Sequence, residues 1–328
     1  MGSNIIFMKY NYVILGSCED YYKIAYAQLD NFPGVKCVMD YIDSSSRILK
    51  NIFRLHNSIK LNNIIQLPFR FIWYPYIFKD EFKDNKPLCI ILFARNSLFS
   101  FEYIRYLRSN FKECKIVVFW QDLVKTDIRH DIIKINDKVD LAFTFDQSDA
   151  KKYGMIYHPS VYSPYDCDES ISLPQSDVFF LGKAKDRLDV IIKSFEKFRD
   201  NGLKCDFFIT GVNSNDRIYN DEINYCDRLP YLENIRHVKA TKCILEIMQG
   251  DASGYTFRMS EAIMYDKRII TNNREIVNSD FFDSRFIQQF KEPENIDVAF
   301  VKSNDAVFYP QKENILPSKF LEIIDKML

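Results

Sequence analysis

Short apolar runs alternate with amphipathic stretches along the chain. YNYVILG (10–16) is a nearly continuous apolar run ending in glycine, and it predicts a buried strand. The stretch 20–29 predicts the helix that follows. LCIILF (88–93), KIVVFW (115–120) and DLAFTF (140–145) predict further strands, with helices over 99–111 and 147–153. Strand–helix alternation of this kind implies a parallel sheet with helices on both faces. HPSVYSPYDCDESISLPQ (158–175) then breaks the rhythm: it is polar and carries Pro159, Pro164 and Pro174. Within it, 166–175 reads as a linker.

The rhythm restarts after the linker. DVFFLG (177–182) predicts a strand ending in glycine, 187–201 a helix closed by Gly202, and CDFFITG (205–211) the next strand. A strand over 243–248, a helix over 256–265, a strand RIITN (268–272) and a last helix over 318–328 complete the pattern. The fold class is therefore α/β. Two Rossmann-like domains, residues 1–165 and 176–328, are expected to face each other across a cleft, with ligands outside the carboxyl ends of the strands.

Composition narrows this picture. A chain of 328 residues exceeds what one core usually holds, which agrees with two domains. The net charge of −1 lacks the basic excess of a nucleic-acid binder, so no nucleic-acid partner is expected. The eight cysteines are scattered without a CxxC pair, which argues against a zinc site or a disulfide framework and fits a reducing cytoplasm. The first residues do not read as a secretory signal, and no apolar run approaches the ~20 residues of a membrane span.

Two constellations carry candidate chemistry. In FFLGKAKDR (179–187) a strand runs into Gly182, and Lys183, Lys185 and Arg187 follow just before a helix. Glycine permits close approach of a ligand, and a helix start offers free N–H groups to an anion. An ordinary turn with solvated lysines is the alternative. In QGDASGYTFRMSEAI (249–263), Gly254 precedes a helix starting near Thr256, with Arg258 in its first turn and Glu261 three residues on. An arginine there opposes the helix dipole, a cost that a bound diphosphate reverses. Glu261 is then placed to accept hydrogen bonds from ribose. Simple pairing of Arg258 with Glu261, or balance of Arg258 by Asp251, is the alternative.

DLAFTFDQSDAKKYG with HPSVY, DVFFLGKAKDR, and SGYTFRMSEAIMYDKRIITNN together resemble the GT-B glycosyltransferases of bacterial capsule and lipopolysaccharide biosynthesis. The resemblance implies two Rossmann-like domains, the second holding most of the nucleotide, and a terminal helix packing back toward the first. Carried onto this sequence, it puts Gly182, Lys183, Arg187, Gly254, Tyr255, Thr256 and Arg258 by the diphosphate and Glu261 on the ribose. The loop after Gly211, through Asn213 to Tyr231, meets the base, and Gly16 counts among the binding glycines. Many retaining members carry two glutamates eight positions apart; that position before Glu261 is Ser253, so the stereochemistry stays open.

The resemblance implies a cytoplasmic glycosyltransferase using a nucleotide-sugar co-substrate, with a UDP-sugar as the default. The acceptor is a saccharide or a lipid-linked precursor of a surface polysaccharide. No metal or other cofactor is expected to be required. Asp166-Cys167-Asp168 has the form of a metal-binding DxD triplet but lies in the linker. An inverting reaction needs a base, and Asp20 ranks first, with Glu19, Asp122 and His130 as alternatives. RILKNIFRLHNSIK (47–60) is basic and amphipathic, and the aromatic LPFRFIWYPYIF (67–78) follows. Residues 47–78 are either a peripheral contact with the inner face of a membrane or an ordinary helix and loop packed in the first domain. A CMP- or GDP-sugar donor, a non-catalytic GT-B partner subunit and a homo-oligomer remain open.

Overall fold

The computed structural model describes residues 8–39, 42, 45–65, 67–124, 132–167, 173–250 and 253–328. They form two compact units, the first Met1–Ser163 with Ile315–Leu328 and the second Pro164–Asn314.

The first unit contains β1 (Asn11–Leu15), α1 (Asp20–Ala25), β2 (Val35–Val38), α2 (Arg47–His56) and α3 (Ile59–Ile64). It continues through β3 (Leu88–Phe93), α4 (Phe101–Asn110), β4 (Lys115–Trp120), α5 (Ile132–Asn136), β5 (Leu141–Thr144), α6 (Gln147–Tyr153) and β6 (Ile156–Tyr157). The strands form one parallel sheet in the order β2-β1-β3-β4-β5-β6. Every residue of β1 and β3 is buried, as a central parallel strand covered on both faces requires. Strand β2, at the edge, is only partly buried, and its mixed VKCV gives little apolar signal.

Two predicted helices are interrupted. The stretch 20–29 divides into α1 and a 3₁₀ turn, Ala27–Leu29. The stretch 47–60 breaks at Asn57 because Ser58 caps a new helix, its hydroxyl accepting from Leu61 N at 3.4 Å.

The second unit contains β7 (Ser176–Lys183), α7 (Leu188–Arg199), β8 (Cys205–Thr210), β9 (Ile223–Cys226) and α8 (Tyr231–Ala240). After these come β10 (Thr241–Glu246), α9 (Phe257–Met264), β11 (Arg268–Thr271), β12 (Ile287–Gln289) and α10 (Val298–Lys302). Its sheet is also parallel, in the order β12-β11-β10-β7-β8-β9. Counted from β7 this is the doubly wound Rossmann order, with the switch point between β7 and β10. In the first sheet the switch falls between β1 and β3.

The last helix, α11 (Pro317–Met327), belongs to the first unit. Asp325 Oδ1 accepts from Tyr12 OH and from Lys9 N, both at 2.9 Å. Phe320 packs its ring against Phe119, Phe143 and His158, so one apolar face of α11 completes the core there.

Candidate functional site

In the second unit the switch point is where the basic loop lies. β7 ends at Lys183, and residues 184–187 lead into α7. Arg187 donates to the carbonyls of Lys183 and Ile247, so it ties the end of β7 to the chain leaving β10. Its Nε is buried without a hydrogen-bond partner. Burial pushes the Arg187 guanidinium down from its ordinary value. Lys185 is in the left-handed region at φ 47° and donates from Nζ to Gln249 Oε1 at 2.7 Å, a second bridge across the switch. Burial, reinforced by the like charges of Arg187 and Lys183, also pushes the Lys185 ammonium down. Lys183, Lys185 and Arg187 thus crowd positive charge around a strand end, with Asp186 as the acidic neighbour.

Beside this loop lies a buried polar network. Glu246, the last residue of β10, is only 3% exposed. One of its oxygens accepts from Thr256 Oγ1 and the other from Thr271 Oγ1 at 2.5 Å. Burial pushes this carboxyl up, and the two hydroxyls pull the other way. Thr256 is also the N-cap of α9, its hydroxyl accepting from Arg258 N at 3.1 Å. One carboxylate therefore fixes the start of α9 against the ends of β10 and β11. Asn272 Oδ1 accepts from Met248 N at 2.6 Å, and Asn273 Nδ2 donates to Gly254 O at 3.3 Å. These bonds hold the chain on either side of residues 251–252.

Glu261 has no exposed surface. Its Oε1 accepts from Tyr231 OH at 2.6 Å and Asn234 Nδ2 at 2.8 Å, and Oε2 pairs with Arg258. Arg258 also donates to Asn234 Oδ1 at 2.7 Å. The i,i+3 pairing of Arg258 with Glu261 is therefore present, and Tyr231 is a partner of Glu261. Neither Glu261 oxygen is open to a ribose hydroxyl in this arrangement. Asp251 lies outside the described residues, while Gly254 and Tyr255 are buried just before the Thr256 cap.

The remaining predicted binding residues are spread along the same edge. Gly182 precedes Lys183 at the end of β7. Gly211, at φ 72°, follows β8, where an added Cβ would lie 3.0 Å from the Lys183 side chain. Asn213 is exposed in the next turn and donates from Nδ2 to Asp216 Oδ2 at 3.2 Å.

In the first unit, Glu19 and Asp20 follow β1, with Glu19 as the N-cap position of α1 and both half-buried. At Gly16 an added Cβ would lie 2.1 Å from Met39 Sδ and 3.3 Å from the Phe93 ring, so a side chain there requires Met39 to move. Asn96 Nδ2 donates to Gly16 O at 2.7 Å, joining the two strand ends at this switch point. Asp122 is paired with Arg95. His130 and Asp168 lie outside the described residues. Asp166 is exposed, 3.6 Å from Lys239 Nζ.

Glu246, Asn234, Thr271, Asn272 and Asn273 were not singled out from the sequence. The signal available was a carboxylate inside the apolar run CILEIM and two asparagines at the end of RIITNN.

No family model matches the chain, and no curated protein matches it in sequence. Solved structures do resemble it. An α-glucosyltransferase in complex with UDP-glucose and DNA containing an abasic site superposes with a TM-score of 0.53 at 13% identity, covering 96% of this chain and 98% of that one. A putative UDP-N-acetylglucosamine 2-epimerase from Listeria monocytogenes gives 0.50 at 8% identity, covering 96% and 95%. With the two parallel six-stranded sheets, these likenesses establish the class: the chain has the GT-B fold.

Proposed function

We propose that the chain is a glycosyltransferase that takes a sugar from a nucleotide donor, with UDP as the carrier. The observation that carries this reading is the basic loop at the β7–β10 switch point, bridged to the far strand end by Arg187 and Lys185. Ligands of doubly wound sheets bind at such a point, and a diphosphate relieves the repulsion among its cations. Gly182, Lys183 and Lys185 meet the diphosphate from one side. Gly254, Tyr255, Thr256 and Arg258 meet it from the start of α9. Glu261 acts through Arg258, whose guanidinium it orients, and the turn after Gly211 with Asn213 faces the base. As the bond between the anomeric carbon and the diphosphate breaks, negative charge develops on the leaving oxygen. These side chains and the helix start stabilise that charge without calling on a metal.

In the first unit, Asp20 is the proposed base for the acceptor hydroxyl, with Glu19 next to it. The acceptor, a saccharide or lipid-linked precursor of a bacterial surface polysaccharide, rests on the resemblance of the three sequence segments. A screen of the purified protein against UDP-, GDP- and CMP-sugars for donor hydrolysis and binding tests the reading. One UDP-sugar is expected to be preferred. Preference for another base corrects the carrier, and binding of none points to a non-catalytic partner subunit. Asp20→Asn is expected to abolish transfer while leaving donor binding unchanged; normal turnover of that variant removes Asp20 from the role.

A further inference from the structure

Helix α2 turns the wrong face outward. Leu49 and Phe53 pack inward, while Ile48, Ile52 and Leu55, at i, i+4 and i+7, face solvent, Ile48 being 74% exposed. The aromatic segment that follows repeats the pattern. Its 3₁₀ turn, Arg70–Tyr76, buries Trp73 and Tyr74 and exposes Phe71, Ile72 and Tyr76. Phe69 enters this turn at φ 62°, a left-handed conformation unfavourable for an aromatic residue, and its ring is exposed.

The two elements are locked together. Trp73 Nε1 donates to His56 Nδ1 at 2.7 Å, His56 Nε2 lies 2.9 Å from Pro68 O, and Phe53 meets Trp73 edge-on. The exposed apolar side chains therefore belong to one packed substructure and are not the fringe of a loose loop. Exposed apolar side chains held together in this way are the kind of surface that serves in interactions.

Charge identifies what covers it. Residues 44–79 contain no Asp or Glu and six Lys or Arg, in a chain whose net charge is −1. Arg47 and Arg54 flank the outward apolar row on α2, and Lys79 follows the turn. Apolar side chains interleaved with basic ones and free of acids match an anionic lipid surface. Among the described residues no helix is long and apolar enough to cross a membrane.

We propose that α2 and the 69–76 turn form a docking face for an anionic membrane surface, with Ile48, Ile52 and Phe71 entering the headgroup region. This inference does not depend on the donor reading. The test is co-sedimentation of the full chain with phosphatidylcholine vesicles, with and without phosphatidylglycerol. Binding is expected only with phosphatidylglycerol, weakening as salt rises. Ile52→Glu/Phe71→Glu is expected to reduce it on the order of tenfold or more, and Arg47→Glu/Arg54→Glu by a similar factor. All four positions are solvent-facing, so unchanged circular dichroism and melting temperature will confirm that the variants fold. Failure of the wild type to bind at low salt overturns the proposal, as does equal binding by the variants. Concentration-dependent dimerisation that the apolar variant abolishes, without vesicle binding, also overturns it and assigns the face to a second copy of the chain.

Discussion

Glu261 shows how much a single carboxylate does in the second unit. Fully buried, it is held by Tyr231, Asn234 and Arg258, and it in turn fixes the guanidinium nearest the start of α9. Buried ion pairs are costly to break from one side, because the remaining charge is left without compensation. Glu261→Gln keeps the shape but removes the charge opposite Arg258. It is expected to destabilise the protein by about 3 kcal/mol, measured by denaturant unfolding. A loss below about 1 kcal/mol, the range of an exposed pair, would mean that water reaches Arg258 and Glu261 freely. Glu246 works differently. Its partners are hydroxyls, and it sets where Thr256 caps the helix, so it positions the α9 start without itself meeting solvent.

At the level of elements, the terminal helix contributes a pH response. His158 is buried among Phe119, Phe143 and Phe320, with Nδ1 2.7 Å from Pro159 O. Burial pushes its imidazole from 6.5 down to about 4, against the smaller upward pull of the Pro159 carbonyl. Between these values the unfolded chain binds a proton that the folded chain does not. Stability therefore falls as pH drops from about 6.5 towards 4, and the loss levels off below that. Fully developed, it amounts to about 3 kcal/mol. Melting curves of the wild type and His158→Asn across this window check it. The variant is expected to show the flatter dependence, and parallel curves would contradict the assignment.

The same elements show what the sequence made legible. β3, β4 and α6 were readable because central strands are apolar throughout and α6 opens on an Asp146 cap and closes on Gly154. β2 and β9 were not, since an edge strand is half solvated and its residues alternate weakly. α8 escaped because NIRHVKA reads as polar, although Tyr231, Asn234, Ile235 and Val238 face inward at helical spacing. Two of those residues matter to the site, so missing the helix also hid how Glu261 is held. The 47–78 region was legible as basic and aromatic, but which apolar side chains face out depends on packing that no periodicity reveals.

On the scale of the molecule, two sheets share a parallel architecture and differ in strand order. The first places its switch point beside Gly16 and Asn96, the second beside Lys183 and Glu246. Among the described residues, Lys183, Lys185 and Arg187 gather at the second switch point, where ligands of doubly wound sheets bind. This gathering of charge underlies the proposal that the nucleotide binds in the second unit. The most direct test is calorimetric titration of the intact protein and of Lys183→Ala/Lys185→Ala with UDP. The account predicts saturable binding by the wild type and an affinity at least about tenfold lower in the variant, the scale of a lost charge-assisted contact. No binding of UDP by the wild type, or the same affinity in both proteins, would contradict it.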